Sequence, residues 1–266
     1  MEQIITSVHN ARVKLLAQLQ QKSSERRHQH KFVVEGQREL RQCIDAGLTV
    51  ECVFFCPSLM QQVDGKDVMS LLPPTVLKFE VSQPVYSKIA YRATTEGIIA
   101  VVHEPKRRLE DLHLGDDALV VVLEGVEKPG NVGAVLRSAD AAGADAVILC
   151  DARADLYNPN LIRASLGAVF SVPCLACSTE ECIDYLQDEG VQILTAQLQD
   201  SEYYYDCDMT RATALVMGTE STGLTEPWRH AANAHIRIPM LGRVDSLNVS
   251  VSTAVLLYEA VRQRQN

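Results

Sequence analysis

Beyond residue 117, short apolar runs recur with helix-like stretches between them, and this alternation limits the fold more than any other feature of the chain. Residues 118–124 (ALVVVLE), 146–150 (AVILC), 191–196 (VQILTA), 212–217 (ATALVM) and 235–238 read as strands. Helical segments are expected over 132–142, 160–170, 179–189 and 248–263. Strands with almost no polar alternation are buried on both faces, which is the mark of a parallel sheet covered by helices. Residues 118–266 therefore read as an α/β domain.

The first 108 residues alternate less cleanly. Residues 11–21 (ARVKLLAQLQQ) form an amphipathic helix candidate, 31–35 (KFVVE) a strand, 37–46 a helix closed by Gly47, and 52–55 a strand. The boundary falls over 104–117, where Glu104-Pro-Lys-Arg-Arg108 and a turn-rich stretch follow one another. Net charge is -9 overall, yet residues 1–108 hold 15 Lys and Arg against 11 Asp and Glu, whereas 109–266 hold 10 against 23. A basic front half suits a polyanion, although surface drift gives the same split. Between the first helix and first strand, residues 22–31 are read as a loop whose Lys22, Arg26, Arg27 and Lys31 grip phosphates; a solvated linker has the same look.

Other classes are excluded by composition. No apolar run approaches the roughly 18–20 residues that span a bilayer, and residues 1–10 lack the basic and apolar regions of a leader, so a cytoplasmic protein without membrane contact is expected. Eight cysteines are too few for a disulfide scaffold. Cys174, Cys177 and Cys182 lack a second pair or a nearby histidine at zinc spacing, so they are read as thiols, and no metal is expected. Tyr203-Tyr-Tyr205 is read as loop packing, with base stacking as the alternative.

Three strand-end loops carry the polar chemistry. Gly125-Val-Glu-Lys-Pro-Gly130-Asn-Val-Gly133 follows a buried strand and opens a helix, where open α/β sheets bind ligands. It lacks the Lys-Ser/Thr of a phosphate loop and the GxGxxG of a dinucleotide site. Asn131 is expected to cap the helix that carries Arg137. The second loop holds Gly218, Glu220 and Gly223; the third holds Met240, Gly242, Ser246, Leu247, Asn248 and Ser250. Glycine-exposed backbone beside Met and Leu suits a flat heteroaromatic ring.

Together, Asn131-x-Gly133-x3-Arg137, Asn158-Pro-x3-Arg163-Ala-Ser165-x-Gly167-Ala168, Met217-Gly218-x-Glu220-x2-Gly223-Leu224 and Ile238-Pro-Met240-x-Gly242-x3-Ser246-Leu-Asn248-Val-Ser250-Val resemble the ordered motifs of the SpoU branch of the SPOUT RNA methyltransferases. Phe32-Val-Val-Glu35-Gly36 resembles the ribosomal-protein-like substrate-binding domain often attached to them. The resemblance implies methyl transfer from S-adenosylmethionine to a ribose 2′-hydroxyl of structured RNA, with ribosomal RNA preferred over transfer RNA. It also implies a homodimer and a trefoil knot in the carboxy-terminal domain. By the same resemblance Gly218, Ile238, Met240, Ser246 and Leu247 contact the cofactor. Arg137, Asn131, Glu220, Asn248 and Ser250 serve catalysis, and Arg163 joins the RNA-binding residues.

Arginine is an awkward base because guanidinium stays protonated in proteins. Arg137 is thus open to two roles: proton acceptor in a dimer-interface setting, or cation that binds phosphate and stabilises developing alkoxide charge. Alternatives to the reading are a transfer-RNA methyltransferase, a base methyltransferase, and a non-catalytic RNA-binding or ribosome-assembly factor that keeps the fold.

Overall fold

The computed structural model describes residues 4–60, 67–91, 96–151 and 155–265. They form two compact units. One comprises residues 1–106 with 157–163, and the other 107–156 with 164–266.

In the first unit, helices α1 (Ala11–Gln21) and α2 (Ser23–Gln29) precede strand β1 (Lys31–Glu35), helix α3 (Gln37–Asp45), strands β2 (Val50–Phe55) and β3 (Leu77–Glu80), helix α4 (Gln83–Ile89) and strand β4 (Ile98–His103). The sheet runs β1-β4-β2-β3; β4 is antiparallel to both neighbours, and β2 and β3 are parallel. Strand β4, an unbroken apolar run, lies inside the sheet and is buried from Ile98 to Val102. Val13, Leu16 and Leu19 of α1 bury their shared face with Val85 and Ile89 of α4 against Phe54, Ile99 and Val101.

The stretch expected as a phosphate-gripping loop is largely helix α2, entered through an extended Lys22 and closed by His30 at φ 51°. Helix α2 turns Arg26 inward, to 4% exposure. Its Nη1 donates to the Leu19 and Gln20 carbonyls at 2.5 and 3.1 Å. These belong to the last turn of α1, whose carbonyls have no helical partner. Arg26 is therefore a helix cap and not a phosphate ligand.

The second unit contains strands β5 (Leu119–Glu124), β6 (Ala146–Cys150), β7 (Cys174–Cys177), β8 (Gln192–Ala196), β9 (Glu202–Tyr203), β10 (Thr213–Met217) and β11 (Ala234–Arg237). All neighbours in the order β7-β6-β5-β10-β8-β11-β9 are parallel. Helices α5 (Pro129–Ala142), α7 (Ala168–Ser171), α8 (Thr179–Asp188), α9 (Glu226–Ala231) and α10 (Val249–Arg264) belong to this unit, while α6 (Pro159–Ala164) straddles its limit. The single helix expected over 160–170 is broken between α6 and α7, where Leu166 and Gly167 take φ of 52° and 87°. Glu124, 5% exposed at the end of β5, accepts from Thr225 N and Thr179 Oγ1 at 2.8 and 3.3 Å, and also from Thr225 Oγ1. That carboxylate ties the starts of α8 and α9 to the sheet. Among the described residues no helix is long and apolar enough to cross a membrane.

Candidate functional site

Strands β8, β10 and β11 end side by side, and at their carboxyl ends lies a cleft of about 470 Å³. Parallel sheets bind ligands at this edge because the loops that leave the strands diverge there. Met217, Leu224, Ile236, Ile238, Leu247 and Leu256 supply apolar walls, with the carboxylates of Glu220 and Asp245 among the polar groups. Of the residues to which the resemblance gives a cofactor or catalytic role, six line it: Gly218, Glu220, Ile238, Met240, Ser246 and Leu247.

The loop after β10 folds back on itself through a Thr219–Gly223 bridge. A Cβ on Gly218 would stand 2.4 Å from the carbonyl carbon of Gly223 and 2.7 Å from Leu224 N. The backbone crossing thus requires glycine. After β11 the chain behaves differently. Among the described residues no backbone group from 239 to 246 has a hydrogen-bond partner. These open donors and acceptors beside apolar side chains are what a planar, hydrogen-bonding ring needs.

A polar cluster stands at one end of the cleft, where α10 begins. Asn248 is the N-cap of α10: its Oδ1 accepts from Ser250 N at 3.1 Å and Ser250 Oγ at 2.6 Å. This leaves Nδ2 facing outward, where it donates to Glu220 Oε1 at 2.8 Å and Asn131 Oδ1 at 3.3 Å. Asn131 Nδ2 completes the triangle with a 3.4 Å bond to Glu220 Oε1. Lys128 Nζ lies 3.9 Å from the other Glu220 oxygen. Asn131 is not the expected cap, because α5 starts at Pro129 with Lys128 as N-cap, and Asn131 sits inside the first turn. Its side chain is thereby freed for the cluster.

Arg137 is not brought to this cleft within its own chain. It is exposed on α5, outside the cleft lining, and forms no hydrogen bond or ion pair among the described residues. Six residues place it about 9 Å along the helix from Asn131 and roughly 120° around it. Val251, Val255 and Tyr258 form a partly exposed apolar stripe on α10, which packs against α5.

The other singled-out cations divide. Lys22 and Arg27 are exposed on the first unit, as is Arg163 at the end of α6, whereas Lys31 is held by Glu51 at 2.6 Å. The tyrosine run packs on itself: Tyr203 and Tyr205 stack at 5.3 Å, and the Arg237 guanidinium lies 4.5 Å above Tyr203. Arg229 and Arg237 also line the cleft and were missed; Arg237 closes the four-residue strand β11, between β8 and β9, where a lone arginine carries no distinguishing spacing.

Comparison with known proteins agrees with this geometry. The profile of the SpoU rRNA Methylase family matches residues 118–258, and that of an MRM3-like substrate binding domain matches 10–100. The 23S rRNA (guanosine-2′-O-)-methyltransferase RlmB of Escherichia coli is 36% identical over 78% of this chain and 92% of its own. A crystal structure of an RNA 2′-O ribose methyltransferase superposes with a TM-score of 0.86 at 40% identity, covering 99% of this chain and 100% of that one. An AdoMet-bound rRNA methyltransferase from Sinorhizobium meliloti gives a TM-score of 0.89 at 30% identity, over 98% of this chain and 97% of that one. With the ordered motifs, the cleft and a profile match over more than half its length, the chain belongs to the SpoU rRNA methylase family.

Proposed function

We propose that this chain transfers the methyl group of S-adenosylmethionine to a ribose 2′-hydroxyl of 23S ribosomal RNA, acting as a cytoplasmic homodimer. The observation that carries the reading is one cleft in which unpartnered backbone at 239–246 meets the Asn131–Glu220–Asn248–Ser250 cluster. The E. coli relative modifies a guanosine ribose of 23S rRNA, and the S. meliloti neighbour holds AdoMet. The residues fit that cofactor: Ile238, Met240 and Leu247 are apolar partners for its ring, and Glu220 and Asp245 bring negative charge to a cleft that would take a cation.

S-adenosylmethionine supplies an electrophilic methyl on a positively charged sulfur that departs as a neutral thioether. The protein's task is then to position the ribose oxygen, and well-oriented groups gain up to about 7–11 kcal/mol from proximity. Gly218 lets two backbone strands cross tightly enough to form the cleft wall. Asn248, fixed by its own cap, holds Glu220 and Asn131 in one cluster of donors and acceptors against which a ribose can be oriented. Arg137 would complete the site from the partner subunit, as the proton acceptor or as the cation that faces phosphate and developing alkoxide charge. Its exposed, unpaired position and the apolar stripe on α10 support that arrangement. The trefoil knot belongs to the same reading and is supported by family membership.

Mapping 2′-O-methyl groups in total RNA from cells with and without the protein tests the reaction and locates its nucleotide. Loss of one 23S position is expected; an unchanged map refutes the reading, and failure to bind S-adenosylmethionine by calorimetry would favour an assembly factor. Coexpressed Arg137→Ala and Asn248→Ala subunits, each inactive alone, should regain activity in one of two clefts if Arg137 works across the dimer.

A further inference from the structure

We infer that Cys150, Cys177 and Cys182 form a binding site for a thiophilic d10 cation, zinc(II) or copper(I), at a corner of the second unit away from the cleft. Their three sulfurs lie within 4.8 Å of one another. The convergence is built by three elements. Cys150 and Cys177 close β6 and β7 and are paired in register. Cys182 stands on the first turns of α8, whose start is fixed by the reciprocal Ser178–Glu181 capping box and by Asp151 Oδ2 accepting from Thr179 N. Three of the five cysteines of this unit meet there, although 32 residues separate the first from the last.

Ordinary packing of thiols in an apolar core is the competing account, and Cys174 illustrates it: equally buried, it lies outside the cluster. Geometry distinguishes the three. With metal–sulfur bonds of about 2.3 Å, thiolates around one cation sit roughly 3.8–4.0 Å apart, so side-chain rotations of under about 1 Å suffice. Cys150 and Cys182 are fully buried, whereas Cys177 is partly exposed and offers an entry path and room for a fourth, solvent ligand. Three sulfur donors select soft cations over magnesium or calcium. Each coordinating thiol gives its proton to solvent. The bound ion would join β6, β7 and α8, so its first consequence is stability.

The test uses the full chain, reduced and stripped of metal. Cobalt(II) should bind in one equivalent with a sulfur-to-metal charge-transfer band, zinc(II) should displace it and raise the Tm, and copper(I) is scored against a chromophoric chelator. Cys182→Ala should weaken binding by more than about 100-fold, since even outer-shell changes cost 10–100-fold, while Cys174→Ala should not. Should Cys182→Ala fail to fold, Cys177→Ser, at the most exposed of the three, carries the comparison. Absence of the band with uptake of neither zinc nor copper, undiminished binding in the cluster variants, or a disulfide within the trio of the purified protein with no metal uptake on reduction would overturn the site.

Discussion

Replacing Asn248 by aspartate changes a single atom's role and exposes how the cleft is held. Oδ1 keeps its cap on Ser250, so the helix start survives, but the donor 2.8 Å from Glu220 Oε1 becomes a carboxylate oxygen. Two charges at that separation repel by about 1.5 kcal/mol at the dielectric of water and about 6 kcal/mol at an effective constant of 20. Glu220 is 40% exposed, which favours the lower end, so about 2 kcal/mol is the expected loss. For a domain of this size that lowers Tm by about 4–8 °C. The sign with pH follows from proton sharing. The folded variant holds a shared proton more tightly than the unfolded chain, so the penalty is absent at low pH and grows as pH rises through and above about 4–6. Asn248→Ala is the contrast: it loses the cap, about 1 kcal/mol, without creating that repulsion. Differential scanning fluorimetry of both variants from pH 4 to 8, with methyl transfer at neutral pH, measures this. Equal Tm of Asn248→Asp and wild type at pH 8, or parallel pH curves for the two variants, would refute the geometry.

Gly218→Ala should destabilise by about 1–3 kcal/mol through overpacking against Gly223 and Leu224, and weaken S-adenosylmethionine binding in calorimetry, because the loop that must move lines the cleft. Glu124→Gln should cost at least about 2 kcal/mol in urea denaturation, since a buried acceptor of three donors is replaced partly by an amide that donates. Arg26→Ala should lower stability by about 1–3 kcal/mol, whereas Arg27→Ala should leave stability unchanged and reduce the salt slope of RNA binding by about 1, as read by filter binding.

The second unit was the more legible because its strands are continuous apolar runs with a turn signal at each end: β5, β6, β8, β10 and β11 fall within a residue of their expected limits. Its cleft was legible in part for the same reason: the loops leaving β10 and β11 line it, the stretch leaving β5 gives only Lys128 and Asn131 to the cluster beside it, and the contribution of residues 196–199 at the end of β8 went unread. What escaped was decided by pairings the local pattern does not carry. Residues 22–31 look like a loop because they are polar, yet Arg26 gains two backbone carbonyls by turning inward, and the helix follows. Asn131 has the chemistry of a cap, but Pro129, well suited to a first helical turn, starts α5 two residues earlier. Strand β7, Cys-Leu-Ala-Cys, holds no β-branched residue to mark it, whereas the equally short β11 carries Ile236. Cys150 joined Cys177 and Cys182 only once two parallel strands were aligned, a relation no spacing within a segment reveals.

The first unit is not a contiguous piece of sequence. Tyr157 stacks on Phe32 with ring centroids 4.2 Å apart, and the Tyr91 hydroxyl donates to Asn160 Oδ1 at 2.9 Å. A ribosome that has released only the first hundred or so residues has therefore not yet made the ring that covers Phe32. A fragment ending near residue 108 would carry that wound permanently, which makes it a poor stand-in for the intact unit in any RNA-binding assay. The chain closes its amino-terminal unit only after residues 107–156 of the other unit have been synthesised.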